Sequence, residues 1–534
     1  MTVGGRMQNS DEKKIENIYP ADIKNLYDAL RKSSEKFPDK IAVIEEKRKI
    51  TYSRLREKTD VLADYLMGKF RIKQGDRVGL LFVNSIDFYI AFYAVMKLGA
   101  IAVLVNTKMQ SEEIAFTLGD TGTHCLITNE RWLEKISGII TDLKIDRIIT
   151  EVSTDKRIPD VQMTSMENIF DTADGLAAEH AEAVQKDDLT AVIMHTSGTT
   201  GKPKGIMVSH QNIMGTAYGY RDVLGLNEND ITVISVPVFH ILALSCVSNT
   251  FLNMGGTMVV FERFDANKAL EAMEKYRATH FHSVPAVYIK MMQEATRKYD
   301  LSSWRIAVCG GAIISEEYKE KFYRMVPSAS FRIAYGLTET AGSGVLSFEH
   351  GMPGKEVPNC RLSILDEKTG LLMDYGEGEA ICEGPVVTTK IWGRTPEDPL
   401  RLHTGDIVRK EKNGDIYILD RIKDVINRGG EKLFPSSIET ALLRYEGVDE
   451  AIVFPVSDEL LGEVPAAILV EKENCRISLE EIQKDLPKRI GKFELPQYLE
   501  IWKKEDIPLT GNGKVRKKRL REIFEEILNK KSGS

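Results

Sequence analysis

The chain is 534 residues long, which exceeds what one hydrophobic core supports and predicts roughly two to four compact units. Its 43% hydrophobic and 28% charged residues are typical of a globular protein, and its net charge of −7 argues against a general nucleic-acid binder. Apolar runs stay well short of the roughly 18 residues of a membrane span, so we expect no integral membrane segment.

The N terminus and the cysteines indicate the compartment. The opening residues MTVGGRMQNSDEKK contain no apolar segment of a secretory signal, and residues 1–20 are predicted to be a disordered leader. The six cysteines are scattered along the chain without a CxxC pair. This spacing favours reduced thiols over a disulfide framework or a zinc site, which predicts a cytoplasmic protein.

The first half of the chain alternates between helical and strand patterns. The predicted segments are residues 51–66 (helix), 77–83 (strand), 88–98 (helix) and 101–105 (strand), and strand patterns return at residues 279–284 and 304–308. Such alternation predicts parallel sheets covered by helices. Ligands of these sheets bind beyond the carboxyl ends of the strands, where Gly310-Gly311 and Tyr335-Gly336 fall.

The pattern changes in the last third of the chain. From Gly376 short strands with glycine turns indicate an all-β segment. A separate compact segment follows Arg421, with strands predicted at residues 451–455 and 466–470 and a helix opened by the capping box Ser478…Glu481. We therefore place a domain boundary near residues 420–423.

Residues 195–205, HTSGTTGKPKG, are suited to binding a polyphosphate. Glycines allow a loop to turn its N–H groups inward, and hydroxyls and lysines neutralise phosphate charge, so this stretch predicts ATP as a ligand. It is not a Walker loop, because Pro203 follows Gly201-Lys202 where that pattern requires serine or threonine. A flexible hairpin would account for GTTG alone, but not for four hydroxyls, two lysines and a proline in so few residues.

Six further motifs stand downstream: PVFH at 237–240, CGGA at 309–312, YGLTET at 335–340, HTGD at 403–406, DRIKDVINRGGEK at 420–432 and LTGNGK at 509–514. Together with residues 195–205, their order and spacing resemble the adenylate-forming superfamily of acyl-CoA synthetases, insect luciferases and peptide-synthetase adenylation domains. The resemblance extends from about residue 20 to the end of the chain.

The resemblance implies both a fold and an activity. The fold is α/β, with a large N-terminal domain, residues 21–420, of two parallel-type α/β sheets and a β-barrel-like subdomain. A hinge at residues 421–423 would join it to a small mobile α+β lid domain, residues 424–534. The activity is that of an acid:CoA ligase, in which ATP and Mg²⁺ convert a carboxylic acid into acyl-AMP with release of pyrophosphate, and the thiol of CoA then forms a thioester.

The resemblance also assigns the ATP site. Tyr335 would stack on adenine, Thr338 would bind the α-phosphate, and Glu339 would hold Mg²⁺, roles that suit an aromatic face, a hydroxyl donor and a hard oxygen ligand. Asp406 would accept the ribose hydroxyls and Arg421 would contact ribose or phosphate. The complete predicted set is Thr196, Ser197, Gly198, Thr199, Thr200, Gly201, Lys202, Lys204, Gly310, Gly311, Ala312, Tyr335, Gly336, Thr338, Asp406, Arg421 and Lys514.

Lys514 matches the catalytic lysine of the superfamily. From a glycine-flanked loop it would bind the incoming carboxylate and the α-phosphate oxygens and stabilise the pentavalent transition state. Only its position within the motif separates it from neighbours such as Lys517 and Lys518.

His240 bears on the substrate. Amino-acid-activating relatives tend to carry aspartate at this position, so Phe239-His240 disfavours an amino acid, and His240 would orient the carboxylate or serve structure alone. The predicted acyl pocket is apolar and suits a fatty (medium-chain) or aryl acid; its residues are Phe239, His240, Val284, Pro285, Ala341 and Gly342.

The acceptor is predicted from the C-terminal part. Gly429-Gly430 matches the loop that lines the pantetheine tunnel of CoA ligases after rotation about the hinge residue Lys423. A carrier-protein phosphopantetheine presents the same thiol arm and stays open as an alternative acceptor. A non-catalytic nucleotide-binding regulator is disfavoured, because Glu339, Asp406 and Lys514 are all present.

Overall fold

The computed structural model describes residues 18–172, 181–196, 203–311, 314, 316–347, 353–472, 474–509 and 515–532. The chain divides into two compact units. Of the described residues, those from 18 to 362 and from 382 to 402 form the larger unit, and those from 363 to 381 and from 403 to 532 form the smaller unit.

The larger unit alternates helices and strands along the chain. Its helices are α1 (Leu26–Lys36), α2 (Tyr52–Gly68), α3 (Ile86–Lys97), α4 (Ser111–Asp120), α5 (Leu133–Ile140), α6 (Met166–Asp171), α7 (His210–Leu224), α8 (Thr250–Met254), α9 (Ala266–Lys275), α10 (Pro285–Glu294) and α11 (Glu316–Met325). Its strands are β1 (Ile41–Glu45), β2 (Arg48–Thr51), β3 (Arg77–Leu81), β4 (Ile101–Leu104), β5 (Cys125–Thr128), β6 (Arg147–Thr150), β7 (Gln162–Ser165), β8 (Thr190–Thr196), β9 (Lys204–Ser209), β10 (Ile231–Ile234), β11 (Thr257–Val260), β12 (His280–Ser283), β13 (Ile306–Gly310), β14 (Ser330–Tyr335), β15 (Val345–Ser347) and β16 (Gly354–Glu356).

These strands form two mainly parallel sheets. One sheet has the strand order β7-β6-β5-β3-β4-β8-β9, in which only the β8–β9 pair is antiparallel among the described strands. The second has the order β16-β15-β14-β13-β12-β10-β11-β1-β2 within the larger unit, with a parallel centre from β14 to β1. The predicted pair of parallel-type α/β sheets is confirmed.

Local signals explain where the predicted elements begin and end. Helix α2 begins after Thr51, whose side chain accepts a hydrogen bond from the Arg54 amide, and α3 begins after Ser85, which accepts from the Phe88 amide at 3.1 Å. The strand predicted at 304–308 lies two residues further along, because the buried Trp304 packs in the preceding turn and donates its indole N–H to the Ile306 carbonyl at 2.9 Å.

The smaller unit is built mainly from antiparallel strands. Its elements are β17 (Arg361–Leu365), β18 (Leu372–Met373), β19 (Gly376–Glu383), β20 (Leu402–Lys410), β21 (Ile416–Arg421), β22 (Ile426–Arg428), β23 (Glu431–Leu433), α12 (Pro435–Leu442), β24 (Val448–Asp458), β25 (Gly462–Glu471), α13 (Leu479–Asp485), β26 (Tyr498–Ile501) and α14 (Lys517–Ser532). The first five strands have the order β18-β17-β19-β20-β21, and a separate sheet has the order β23-β22-β25-β24 with β26 parallel to β25.

The long hairpin β24–β25 organises the C-terminal part. Its two faces bury two different hydrophobic clusters, one around Ile438 and Leu469 and the other around Phe454 and Phe524. Helix α13 begins after Ser478, whose hydroxyl accepts from the Glu481 amide, as predicted from the capping box. The predicted α+β character of this part is confirmed.

The two compact units divide the chain differently from the predicted domains 21–420 and 424–534. Residues 363–381 and 403–420 fall in the smaller unit, where β17, β18 and β19 share a sheet with β20 and β21. The Ser436 amide and hydroxyl bond to Asp420 and Leu419 at the end of β21. The hinge at residues 421–423 concerns a movement, which one conformation does not test, and it stays a prediction. Residues 1–17 of the predicted leader lie outside the described residues.

None of the described helices combines the length and the apolar character that a membrane span requires.

Candidate active site

The predicted phosphate loop connects the hairpin strands β8 and β9. Thr196 pairs with Lys204 and His195 pairs with Gly205 at the open end of this hairpin. Thr196 and Lys204 therefore stand opposite each other where the loop begins and ends. The remaining predicted loop residues lie outside the described residues; they are Ser197, Gly198, Thr199, Thr200, Gly201 and Lys202.

His195 anchors the base of this hairpin, a role that the sequence did not reveal. Its Nε2 atom lies 3.0 Å from Asp120 Oδ2, and its ring packs edge-on against Phe116 at 5.9 Å between centroids. A Cβ atom on Gly205 would lie 3.3 Å from His195 Nε2, so this glycine leaves room for the ring. The only sequence signal was the place of His195 at the start of the motif.

A tight turn after β14 presents Tyr335, Thr338 and Glu339. The Leu337 amide donates to Thr340 Oγ1 at 2.9 Å, and the Gly342 amide donates to the Leu337 carbonyl at 2.9 Å. The Glu339 carbonyl accepts from the Thr388 amide at 2.8 Å, which fixes the backbone beneath its side chain. The structure therefore brings these three predicted residues onto one hydrogen-bonded turn.

The backbone of this turn folds back so closely on itself that only glycine fits at position 336. A Cβ atom at Gly336 would lie 2.3 Å from the Gly342 carbonyl oxygen, a distance that forces the backbone to move. We expect Gly336→Ala to lower the free energy of unfolding by about 1–3 kcal/mol. Gly344→Ala is the matched control, since its Cβ would meet only ordinary contacts from 3.5 Å. Chemical denaturation of both variants checks this, and equal stability of the two would contradict it.

Gly310 and Gly311 end the neighbouring strand β13. Gly310 pairs with Ala334, one residue before Tyr335, so both predicted adenine-binding segments lie at the same edge of the parallel sheet. Gly311 has φ +81°, and its Cβ would lie 3.5 Å from Val284 Cγ1. Ala312, the third predicted residue of this turn, lies outside the described residues.

The predicted acyl-pocket residues come together in two groups. Val284 precedes Pro285, the first residue of α10, and lies against Gly311. Phe239 and His240 precede a π-helix, Leu242–Asn249, and their rings are 4.9 Å apart. The second group, Phe239 and His240, lies next to the turn after β14, and the last residues of that turn, Ala341 and Gly342, make the contact.

Gly342 allows the turn after β14 to pack closely on the segment that contains the π-helix. A Cβ atom at Gly342 would lie 2.9 Å from Cys246 Sγ on the π-helix and 3.4 Å from the Ile241 carbonyl oxygen. Its neighbour Ala341 is fully buried and has a positive φ of +50°. The turn that presents Glu339 therefore packs directly on the segment that follows His240.

In the smaller unit, Asp406 and Arg421 form an ion pair on adjacent strands. Arg421 Nε lies 2.9 Å from Asp406 Oδ1, and Asp406 is only 3% exposed. Glu379, which the sequence did not reveal, supports this motif by accepting from the Gly405 amide at 3.0 Å and contacting His403 Nδ1 at 3.0 Å. The carboxylate predicted to bind ribose is therefore held in a fixed orientation.

Gly429 and Gly430 form the two-residue turn between β22 and β23. Both have positive φ, +58° and +91°, which two-residue hairpin turns of the primed type require. The Gly429 amide donates to the Leu461 carbonyl at 2.8 Å, and no described atom lies within 4 Å of a Cβ built on Gly430. Leu461 Cδ2 lies 3.5 Å from a Cβ built on Gly429, so among the described residues the Gly430 side of this turn is the open one.

Lys423 and Lys514 complete the predicted set. Lys423 is exposed and lies in a 3₁₀ helix, Ile422–Asp424. Lys514 lies outside the described residues, but its loop is flanked by a backbone bridge between Leu509 and Val515.

The acidic residues of the site suit a magnesium ion that is held partly by the protein and partly by a phosphate ligand. Within the described part of the chain, no three histidine, cysteine or acidic side chains cluster as a self-contained metal site. Mg²⁺ is commonly bound through one or two carboxylates and substrate phosphates, which is compatible with Glu339 as a single ligand.

Comparison with known families matches both parts of the chain. The family described as AMP-binding enzyme matches residues 30–392, and the family described as AMP-binding enzyme C-terminal domain matches residues 437–514.

Similar proteins include several CoA ligases. A long-chain-fatty-acid–CoA ligase of Bacillus subtilis is 30% identical, over 94% of this chain and 97% of the relative. A 2-succinylbenzoate–CoA ligase of Geobacillus is 31% identical, over 93% and 96%. The solved structure of o-succinylbenzoate CoA synthetase from Bacillus subtilis with its acyl-adenylate intermediate has a TM-score of 0.78 at 28% identity and covers 93% of this chain and 98% of that one.

Proposed function

The chain belongs to the AMP-binding enzyme family and is an AMP-forming acid–thiol ligase, and from this premise we propose that it joins a fatty or aryl carboxylic acid to CoA. Relatives with these activities include ligases of long-chain fatty acids, 2-succinylbenzoate and 4-coumarate. A solved relative, an o-succinylbenzoate CoA synthetase, holds ATP and magnesium. ATP and Mg²⁺ are the corresponding cofactors here.

One observation supports this proposal above the others. The turn holding Tyr335, Thr338 and Glu339 lies beside Gly310 at one sheet edge and packs through Gly342 on the segment after His240. This arrangement joins the groups suited to a nucleotide with those suited to an acid, as acyl-AMP formation requires.

In the first step a carboxylate oxygen of the acid attacks the α-phosphorus of ATP, and the bond to the β,γ-diphosphate breaks to release pyrophosphate. Thr338 donates to the α-phosphate, and Lys514 neutralises the charge that develops on its oxygens. Glu339 would hold Mg²⁺, which supplies further neutralisation of the phosphate charge when bound.

In the second step the thiol sulfur of the acceptor attacks the acyl carbon. The bond from that carbon to the AMP oxygen breaks, AMP leaves, and the thiol proton is released. The Gly430 side of the turn suits a thin pantetheine arm, because no described atom lies within 4 Å of a Cβ built there. A carrier protein would bring the same arm and is the alternative acceptor.

The acyl lining favours an acid without an amino group. Phe239, Val284 and Pro285 are apolar, and His240 stands where a carboxylate would be needed to pair with an α-ammonium. A purified-protein assay of pyrophosphate release tests this with octanoate, benzoate, alanine and phenylalanine.

We expect release with the plain acids and none with the amino acids, and faster turnover when CoA is added. Faster release with alanine or phenylalanine would contradict the substrate class. Turnover stimulated by a phosphopantetheinylated carrier protein but not by CoA would favour the alternative acceptor.

A further inference from the structure

Four buried polar side chains form a hydrogen-bonded line through the core of the larger unit. Thr232 Oγ1 lies 2.9 Å from His280 Nδ1, and His280 Nε2 lies 2.9 Å from the Tyr220 hydroxyl. The same hydroxyl lies 2.8 Å from His282 Nδ1. All four residues are at most 2% exposed, so water does not compete for these contacts.

Both histidines in this line are neutral near pH 7. Burial lowers the pKa of His280 to about 3, and burial together with the neighbouring His280 holds the pKa of His282 well below its usual value. A neutral imidazole has one N–H donor and one acceptor nitrogen, and a tyrosine hydroxyl has a single proton. The Tyr220 proton therefore goes to at most one of the two imidazoles, and unless both histidines donate to its oxygen, the hydrogen bonds all run in one direction along the line.

The number of unpaired buried groups decides the direction. If the line runs towards Thr232, the Thr232 hydroxyl proton and the His282 Nε2 lone pair are both left without a partner among the described residues. If both histidines donate to Tyr220, the Tyr220 proton and that lone pair are unpaired instead. If the line runs from Thr232, then Thr232 donates to His280, His280 to Tyr220 and Tyr220 to His282, and only the His282 Nε2–H is unpaired. Unpaired buried groups are costly, so this last direction is favoured.

His282 then presents an Nε2–H group at the open end of the line. This atom is buried and has no hydrogen-bond partner among the residues that the structure describes. It faces Gly310, because a Cβ atom built there would lie 3.3 Å from it. Side chains on paired residues of parallel strands share a face, and on this face Gly310 and its partner Ala334 supply almost no bulk.

The position of this donor relates it to the acid. His282 lies two residues before Val284, which contacts Gly311 and belongs to the acyl lining.

We propose that His282 is a specificity-determining residue whose Nε2–H donates a hydrogen bond to an oxygen atom on the acyl part of the acid. The inference rests on the proposed ligase function and narrows its substrate class to acids that carry a hydroxyl, ether or keto oxygen. The line from Thr232 through Tyr220 fixes the tautomer and the ring orientation. An acid without that oxygen leaves the buried donor unpaired and is disfavoured for that reason.

Matched pairs of acids test this directly. The pairs are 3-phenylpropanoate with its 4-hydroxy derivative, benzoate with 4-methoxybenzoate, and octanoate with hydroxy- and keto-octanoates. We expect kcat/KM for acid-dependent pyrophosphate release to favour the oxygenated acid in at least one pair by about 10- to 100-fold, the usual penalty for an unpaired buried donor. His282→Leu should abolish this preference, and His282→Gln, which keeps an N–H donor, should retain part of it.

Two controls separate this role from a structural one. Tyr220→Phe keeps both imidazole rings but breaks the line between them, so it should weaken the preference without removing it. The KM for ATP should be unchanged in His282→Gln, since the donor serves the acid; a selective rise in that KM would assign the donor to adenine and overturn the proposal.

Other outcomes also decide the matter. A wild-type ratio near one in every pair, or a preference that persists in a folded His282→Leu, would overturn it and indicate that the donor binds water only. If His282→Leu does not fold, the kcat/KM ratios of the wild type and of His282→Gln still test the proposal. Failure of the ligase function itself would look different, because then no acid would stimulate pyrophosphate release.

Discussion

Lys514→Ala is expected to lower acid-dependent ATP–pyrophosphate exchange by about 100-fold or more, the usual loss for a preorganised electrostatic donor. The reason is that charge develops on the α-phosphate oxygens in adenylation, and Lys514 is the residue predicted to neutralise it. Thioester formation from supplied acyl-AMP lacks this step and should be much less affected. Exchange and transfer measured separately on the same preparation check both expectations.

Two nearby lysines serve as controls for that experiment. Lys518 is exposed, so Lys518→Ala should leave both half-reactions close to wild type. Lys517 has a different role, because its ammonium lies 2.8 Å from Glu439 in an ion pair within the smaller unit. Lys517→Ala should therefore affect stability more than the ratio of the two steps. An equal loss of both half-reactions in Lys514→Ala would contradict the assignment.

The architecture could be predicted because it depends on local patterns. Alternating apolar segments indicated the positions of α2, β3, α3 and β4, and the capping box at Ser478 marked a helix start. The motifs also indicated which turns carry the site, since glycines such as Gly336 are needed where the backbone approaches itself closely.

The supporting contacts could not be predicted, because they join residues far apart in the sequence. Tyr220 meets His280 and His282 across about 60 positions, and His195 meets Asp120 across 75. A lone histidine in an apolar run is compatible with many environments, so periodicity does not reveal such pairs. Only the packing of α7 and α4 on their sheets brings these partners together.

The extent of the smaller unit was also hidden from the sequence. The change to all-β character at Gly376 was visible, but the packing of α12 against the end of β21 depends on the Ser436 contacts with Leu419 and Asp420. Short strands with glycine turns do not specify which neighbour they pack against. The motifs were therefore better guides to the site than to the boundaries around it.

Lys423→Pro is expected to separate the two half-reactions. Proline fixes φ at this residue and disfavours the helical conformation of Ile422, which now lies in the 3₁₀ helix Ile422–Asp424. If the predicted rotation about residues 421–423 brings Gly429-Gly430 to the thioester-forming position, the variant should still form acyl-AMP but transfer it to CoA at least about 10-fold more slowly. Single-turnover quench experiments that follow acyl-AMP and acyl-CoA separately measure this.

Lys423→Ala is the matched control, since it removes the same exposed side chain but leaves the backbone free to rotate. We expect it to behave like wild type in both steps, which would assign the effect of proline to the backbone rather than to the lost charge. Circular dichroism should show that both variants fold. Lys423→Ala should unfold at the wild-type temperature because its side chain is exposed, whereas Lys423→Pro should unfold at a somewhat lower temperature because proline disfavours the conformation of Ile422. Transfer of the adenylate at the wild-type rate in Lys423→Pro would contradict the hinge and leave Lys423 as an ordinary surface residue.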